Sequence, residues 1–176
     1  MVFMEAFMYR LHPQWRTTRE LVASGRLGQL QAIQTFFANN NPDPANIRNI
    51  ARYGGGALMD IGCYAIDLSR MLFAAKPSTV SGAVRFDPDS GVDVLSSGLL
   101  TFPSGGQSSF TCGTRSQSGQ WVHVVGSAGR LTVEVPFNAP RTSAPGSPSR
   151  PRTPGRRDRR RSQDGPSCLA ARSGTA

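Results

Sequence analysis

The sequence is poor in lysine, histidine and cysteine, and it has no long apolar run. Arginine outnumbers lysine 19 to one, and the two histidines and three cysteines are scattered without the spacing of a metal site. An odd number of isolated cysteines favours a reducing compartment over a disulfide framework, so we expect a cytoplasmic protein. No apolar stretch reaches the roughly 18 residues that a membrane span needs, and no charged leader marks a signal peptide. The sequence therefore predicts no contact with a membrane.

Charge and apolar residues are distributed very unevenly along the chain. Residues 141–176 hold nine arginines against Asp158 and Asp164, which is +7 of the net charge of +9. The same segment has one Leu and no Val, Ile, Phe, Met, Trp or Tyr, so it cannot bury enough apolar surface to offset the entropy of ordering. We expect a globular domain over residues 1–140 and a disordered basic tail, rich in Arg, Pro and Ser, over residues 141–176. The arginine bias fits a GC-rich coding sequence, and one hypothesis is that the tail is a frame-shifted read-through.

The first part of the chain predicts helices followed by a run of strands. We expect an apolar strand over Val2–Tyr9, a helix from Pro13 to about Ser24, a strand over Leu30–Phe37, and a long helix over Ala57–Ala75 behind a polar loop. After Pro77 the apolar residues alternate, and short turns separate five predicted strands. These are Thr79–Phe86, Val94–Phe102, Gln107–Gly113, Trp121–Val125 and Leu131–Val135. Such spacing favours an antiparallel meander, so the predicted fold class is α+β: an open, mostly antiparallel β-sheet with helices packed on one face.

The long helix carries two neighbouring stripes of side chains. On a regular helix the apolar stripe spans about 80° and faces the sheet. Its members are Ala57, Ile61, Ala65, Leu68 and Leu72.

Asp60 and Tyr64 lie on the second stripe, one turn apart, so their side chains are neighbours. A carboxylate beside a phenol, behind the flexible Gly54–Gly56, is a candidate proton-handling pair. Spacing alone leaves a structural alternative open, in which Asp60 favours the helix N-terminus and Tyr64 is a half-buried core aromatic.

Three stretches resemble one family of oxidoreductases. Glu5–Gln14, Gly54–Tyr64 with its Gly-Gly…Asp-x-Gly-x-Tyr pattern, and Val122–Gly129 resemble the C-terminal, substrate-side domain of the glucose–fructose oxidoreductase / inositol dehydrogenase (Gfo/Idh/MocA) family. Asp43–Arg48 also fits one branch of it. The resemblance implies NAD(P)-dependent hydride transfer at a hydroxyl-bearing carbon, with a sugar- or polyol-like small molecule as the substrate.

The resemblance also implies roles for individual residues. Tyr64 occupies the position of the residue that handles the proton, and Asp60 the position that helps to hold substrate hydroxyls, so both are expected to be catalytic. Arg10, His12 and Arg48 are expected near the same cleft as substrate-binding residues. For the two arginines, solvated surface charge is an equal alternative. For His12, capping or packing before the next helix is the stronger alternative.

The family's dinucleotide-binding parts are not found in this chain. No Gly-x-Gly-x-x-Gly motif follows a strand, and Lys76-Pro77 lies at the far end of the signature helix, away from the position of the family's nicotinamide-proximal lysine. NAD(P) is therefore implied by the family, while its binding domain is missing here. We expect a domain of an oxidoreductase that is inactive as an isolated chain.

Two other functions can be weighed against this one. A non-catalytic association module derived from the family would form homo-oligomers through the sheet face, and a mostly apolar outward face would support it. The basic cluster Arg156–Arg161 could neutralise phosphates, but no aromatic residue lies within it to stack on bases. We therefore expect no specific binding of nucleic acid.

Overall fold

The computed structural model describes residue 1 and residues 6–139, and the helices occupy the first half of this range. Helix α1 spans Pro13–Ala23 and helix α2 spans Cys63–Phe73, with a π-helical turn over Leu58–Gly62 directly before α2. Short 3-10 turns cover Met8–Leu11, Ile47–Asn49 and Ala51–Tyr53. None of the helices in the described residues is long and apolar enough to cross a membrane. The predicted tail over 141–176 lies outside the described residues.

The helix bounds follow from local chemistry. Proline stands at the first position of α1, where its missing N–H costs nothing, and the His12 side chain accepts a hydrogen bond from the Gln14 amide. Helix α2 ends at Phe73, because the next residue, Ala74, has a left-handed φ of 50° and Pro77 follows shortly after it. The prediction of a strand over Val2–Tyr9 is wrong at its C-terminal end, because Met8–Leu11 forms a 3-10 turn. Residues 2–5 lie outside the described residues.

Six strands form one open sheet. Their bounds are β1 Leu30–Asn40, β2 Thr79–Phe86, β3 Asp93–Thr101, β4 Gln107–Gly113, β5 Arg115–Gly126 and β6 Arg130–Val133. The order across the sheet is β2-β3-β4-β1-β5-β6, and only the pair β1–β4 is parallel. The predicted α+β class, with a mostly antiparallel open sheet, is confirmed.

The predicted meander is interrupted between β4 and β5. Only Thr114 separates these strands, yet β1 lies between them: Gly113 of β4 pairs with Ala38, and Arg115 of β5 pairs with Asn40. The chain passes over the end of β1, where the Asn41 amide donates to the Thr114 carbonyl at 2.9 Å. The one-residue connection between β4 and β5 therefore does not make them hydrogen-bonded neighbours, because β1, which is distant in sequence, lies between them.

The core lies between the helices and one face of the sheet. All five residues of the predicted apolar stripe are buried, which confirms that this side of the helical segment packs on the sheet. They meet inward side chains such as Ile33 of β1 and Val122 of β5, both fully buried. Trp15 fixes α1 to the chain after β6, since its Nε1 donates to the Pro136 carbonyl at 2.7 Å.

The opposite face of the sheet is mixed rather than mostly apolar. Gln34, Ser97 and Thr111 alternate there with apolar residues, around a shallow hollow of about 620 Å³. Trp121 stacks on Phe36 with 5.9 Å between ring centroids. The outward face is therefore less apolar than the face that would support association in the sequence-based prediction.

Candidate functional site

A groove of about 630 Å³ opens between the π-helical turn and the far end of β1. Its lining is rich in amides and hydroxyls and includes one ion pair. The polar residues that line it are Asn39, Asn41, Arg48, Asp60, Tyr64, Ser118, Gln120 and Asn138. Asp60 and Tyr64 thus line the same open groove, together with Arg48.

Hydrogen bonds to Arg48 and Asp93 fix the start of the turn that carries Asp60. Gly56 has a φ of 128°, and its amide donates to the Arg48 carbonyl at 2.9 Å. Asp93 of β3 accepts a hydrogen bond from the Leu58 amide at 2.7 Å, as a capping carboxylate does at a helix N-terminus. The first turn of the predicted helix is therefore a π turn, a widening that is frequent at functional sites.

Asp60 is paired with Arg48. The Nε of Arg48 donates to Oδ1 of Asp60 at 2.7 Å, and the side chains are 52% and 17% exposed respectively. The Asn46 side chain fixes the arginine by accepting from its backbone amide at 3.1 Å. Arg48 thus lies against the groove, and it makes the Asp60 carboxylate part of a charge-neutral pair.

Tyr64 is held by aromatic rings. Its ring contacts those of Phe7, Tyr9, Phe37 and Phe137 at centroid separations of 5.2 to 6.0 Å. Its hydroxyl lies 3.8 Å from the sulfur of Met8. Tyr64 is therefore both a half-buried aromatic and a groove residue, so the two alternatives for it are compatible.

Arg10 lies apart from this groove. It makes a bidentate ion pair with Asp67, with Nε–Oδ2 and Nη2–Oδ1 separations of 2.8 and 2.6 Å. Asp67 also accepts from the Tyr9 hydroxyl at 2.5 Å. Burial, followed by this hydrogen bond, raises the pKa of the Tyr9 phenol, and the hydrogen bond to Asp67 raises the pKa of Arg10. Arg10 borders a separate hollow of about 330 Å³ near the end of α2.

His12 also lies outside the lining of the groove. Its Nδ1 accepts from the Gln14 amide at 3.3 Å, which is the capping alternative. Its Nε2 is buried, with no hydrogen-bond partner in the described part of the chain. The structure therefore brings together three of the five predicted site residues, Arg48, Asp60 and Tyr64, and places Arg10 and His12 elsewhere.

Sequence reasoning missed the amides on the opposite wall. Asn39 and Gln120 line the groove from β1 and β5. The sequence contains a signal for Asn39, because every second residue of a strand lies on the same face. Asn39 therefore belongs to the face of β1 that carries Ile33, Thr35 and Phe37. The predicted strand ends at Phe37, whereas β1 continues to Asn40. Gln120 gave no such signal.

No described residue group is arranged to hold a metal ion. The triple glycine does not form a dinucleotide cradle either. A Cβ on Gly55 would lie 2.5 Å from the Arg48 carbonyl oxygen, and one on Gly56 would overlap Oδ1 of Asp93. Gly55 and Gly56 are thus needed for close packing within the protein, because the chain's own atoms fill the space beside them.

Comparison with known proteins gives consistent matches. The profile of the GFO/IDH/MocA C-terminal domain matches residues 15–132. An uncharacterized oxidoreductase of Rhizobium meliloti is 42% identical over 134 residues, which is 76% of this chain and 40% of that protein. D-xylose 1-dehydrogenase (NADP(+)) 2 of Haloferax volcanii is 37% identical over 142 residues, with 80% and 43% covered.

A solved structure shows the same architecture. It is a 3-ketoreductase from Actinomadura kijaniata in complex with NADP and TDP-benzene, with a TM-score of 0.70 and 29% identity over 80% of this chain and 43% of that one. The chain thus spans about two-fifths of the length of the relatives that it matches.

Proposed function

The chain belongs to the GFO/IDH/MocA family as a C-terminal domain, and from this we propose that it is the substrate-side domain of an NAD(P)-dependent oxidoreductase. Its substrate is proposed to be a sugar or polyol that reacts at a hydroxyl- or carbonyl-bearing carbon. The observation that carries the proposal is that Asp60 and Tyr64 line one open groove with Arg48. The xylose dehydrogenase among the relatives supports the substrate class.

The proposed chemistry concerns protons and hydroxyls. Tyr64 exchanges a proton with the reacting oxygen of the substrate, as a phenol in hydrogen-bond reach can. Asp60 accepts a hydrogen bond from a neighbouring hydroxyl and fixes the substrate's orientation. Arg48 holds the carboxylate in place through the 2.7 Å contact to Oδ1, and it keeps the charge of the groove balanced.

NAD(P) is proposed only as the cofactor of the larger enzyme. The described residues form no cradle for it, because the glycine loop is packed against Arg48 and Asp93. We therefore propose that the chain alone is inactive and does not bind NADPH. An NADPH titration followed by nucleotide fluorescence should show no saturable change at micromolar concentrations, and tight binding would contradict this part of the proposal.

A chimera tests the catalytic role. Residues 6–139 would replace the matching segment of the Rhizobium meliloti oxidoreductase, and NADP-linked oxidation of sugars and polyols, D-xylose among them, would be assayed. Tyr64→Phe should lower kcat by about 10²-fold or more, the usual contribution of a positioned acid or base. Tyr53→Phe is the matched control, because Tyr53 is exposed and outside the groove. Equal kcat values for the two variants would refute the role of Tyr64.

Binding by the isolated chain gives a second test that needs no turnover. D-xylose would be titrated into the ¹⁵N-labelled protein, and amide shifts around Asp60 and Tyr64 should move with saturable behaviour. Shifts confined to the outward face of the sheet would place binding elsewhere and contradict the proposed site.

We also propose that the outward face of the sheet joins two copies of the chain. The hollow at the centre of that face is lined by no charged side chain, and it contains the stacked Phe36–Trp121 pair. A lack of charge together with an exposed Trp is characteristic of the centres of protein interfaces.

A cytoplasmic location stays part of the proposal and agrees with Cys63 and Cys112 being free thiols.

A further inference from the structure

We propose that Arg115, at the start of β5, is a positioning residue for the groove: it holds the loop of residues 41–49 from behind and so sets the position of Arg48. Arg115 is not part of the lining of the groove, whereas Asn41 and Arg48 both are. The inference rests on the proposed function, since it concerns the same groove. It adds a residue that acts on the substrate only through other residues.

One nitrogen of Arg115 ties the two ends of this loop together. Its Nη1 donates to the Asn41 carbonyl and, at 3.1 Å, to Oδ1 of Asn49. The side chain is only 21% exposed, and its Nη2 lies 3.8 Å from Oδ2 of Asp87 in the turn between β2 and β3. The Asp87 carboxylate accepts from two amides of its own turn. The guanidinium therefore contacts fixed groups on two sides.

Asn49 is the buried link between Arg115 and the loop. It is 4% exposed, and both polar atoms of its amide are bonded. Its Oδ1 accepts from Arg115, while its Nδ2 donates to the carbonyls of Asn41 and Asp43 at 2.9 and 2.7 Å. A buried polar group with all its partners rigidifies the segment around it. Because Asn49 directly follows Arg48, it also fixes the backbone from which the Arg48 side chain extends.

The side chain of Arg48 depends on this anchored backbone. Its amide donates to the Asn46 side chain at 3.1 Å, and its carbonyl accepts from the Gly56 amide at 2.9 Å. The side chain itself is 52% exposed, and among the described residues it makes one hydrogen bond, to Asp60 at 2.7 Å. An exposed ion pair is weak by itself, so it needs a backbone that is already held at the right distance.

Substitution of Arg115 tests this role in the full chain. Arg115→Met removes all the donors at similar length. Arg115→Lys keeps a cation whose three donors can replace the contacts of Nη1. Arg85→Met is the matched control, because Arg85 is an exposed arginine on the edge strand β2. Thermal midpoints measured without sugar establish the temperature range in which each variant is folded.

Two readouts follow the chain of contacts from Arg115 to the groove. The Arg48 Nε–H signal in ¹H–¹⁵N NMR spectra, assigned by its absence from Arg48→Lys, reports the contact with Asp60. A D-xylose titration reports binding. We expect Arg115→Met to lose or shift this signal and to weaken D-xylose binding about 10-fold, the equivalent of one hydrogen bond to a charged group. Arg115→Lys should largely restore both, and Arg85→Met should change neither.

The outcomes distinguish this inference from the function beneath it. If the Nε–H signal responds as expected but the wild type does not bind D-xylose, the positioning of Arg48 stands and the proposed function falls. If Arg115→Met keeps the wild-type affinity for D-xylose, or if the wild type has no such signal, only this inference falls. Equal losses in Arg115→Met and Arg115→Lys would show a purely structural role and also contradict it. Should Arg115→Met not fold, Arg115→Gln decides by the same criteria.

Discussion

At the scale of single residues, the loop in front of the groove needs two glycines for different reasons. Gly54 and Gly56 both have a positive φ, at 72° and 128°, but their surroundings differ. A Cβ on Gly54 would meet nothing within 4 Å, whereas one on Gly56 would overlap the carboxylate of Asp93. The second glycine is therefore required by backbone conformation and by packing together, and the first by conformation alone.

This difference gives a matched pair of substitutions. Gly54→Ala should lower the free energy of unfolding by about 1–2 kcal/mol, the cost of a left-handed conformation for an L-residue. Gly56→Ala should cost about 3 kcal/mol or more, because it also displaces Asp93 from the Leu58 amide and so removes a cap worth about 1 kcal/mol. Urea denaturation of both variants measures the difference, and equal losses would contradict this account of Gly56.

The protonation of Tyr9 is tied to folding, because its phenol is buried and bonded to Asp67. Burial and the hydrogen bond to Asp67 raise the pKa of Tyr9 above its ordinary value near 10. A raised folded-state pKa means that the stabilisation is fully present below pH 10 and is lost as the pH rises through 10 towards the folded-state value. The cluster thus predicts alkaline destabilisation that depends on this phenol.

Tyr9→Phe tests that pH dependence. At pH 8 the variant should lose about 1–3 kcal/mol of unfolding free energy, because the buried Asp67 carboxylate keeps Arg10 but loses one donor. Between pH 8 and pH 11 the wild type should lose more stability than Tyr9→Phe does. Urea titrations at both pH values measure this, with Tyr53→Phe as the exposed control. Parallel losses in all three proteins would show that Tyr9 does not control the alkaline transition.

At the scale of elements, the π turn packs closely on β4 because the residue at the contact is Gly62, which has no side chain. A Cβ on Gly62 would lie 2.8 Å from the sulfur of Cys112 and 3.0 Å from Cδ1 of Leu58. Cys112 is buried in this contact, and burial raises the pKa of its thiol to about 12. Gly62 thus lets the turn that carries Asp60 lie close to the central strands, with a neutral thiol filling the space beneath it.

A double-mutant cycle measures this contact. Gly62→Ala should destabilise the protein by about 1–3 kcal/mol through overpacking, and Cys112→Ala should cost about 1 kcal/mol through lost packing. In the double variant the new methyl group occupies space that the sulfur vacates, so the combined loss should be smaller than the sum by at least about 0.5 kcal/mol. Strict additivity of the unfolding free energies would show that the turn and β4 are not in close contact.

At the scale of the whole molecule, the two faces of the sheet have different neighbours. Helices α1 and α2 cover much of the inward face, while the outward face of the sheet presents Trp121 at 38% exposure beside Phe36. His123 lies against the same Trp, with 4.7 Å between ring centroids. The exposed Trp121, with the half-buried Phe36 and His123 beside it, is the physical basis for proposing that copies of the chain associate there.

Analytical ultracentrifugation of charge variants tests this association. Trp121→Lys should convert a dimer to a monomer, because it buries a charge at the centre of the proposed interface. Val80→Lys is the control, since Val80 is 69% exposed but pairs with the buried Leu100 and so lies on the inward side of the edge strand β2. A wild-type chain that sediments as a monomer at high micromolar concentration would contradict the proposal directly.

The sequence by itself determined the local elements, because these depend on short-range preferences. Alternating side chains predicted β2 and β4 with the bounds that the structure has, and the 3.6-residue period predicted the buried stripe from Ala57 to Leu72. Proline placed the start of α1. The residues that resemble the family's signature also indicated Asp60 and Tyr64 as candidate residues, and both line one groove.

Only the tertiary structure decided which distant segments meet. The entry of β1 between β4 and β5 depends on burying Ile33 and Phe37 on both neighbours at once, a gain that no local pattern contains. The same placement brings Asn39 to the groove and leaves Arg10 with Asp67, while Arg48 reaches Asp60. A long arginine side chain can reach several carboxylates, and the fold determines which of them lies within reach. The ion pairs of Arg10 and Arg48 therefore follow from the packed fold and not from spacing along the chain.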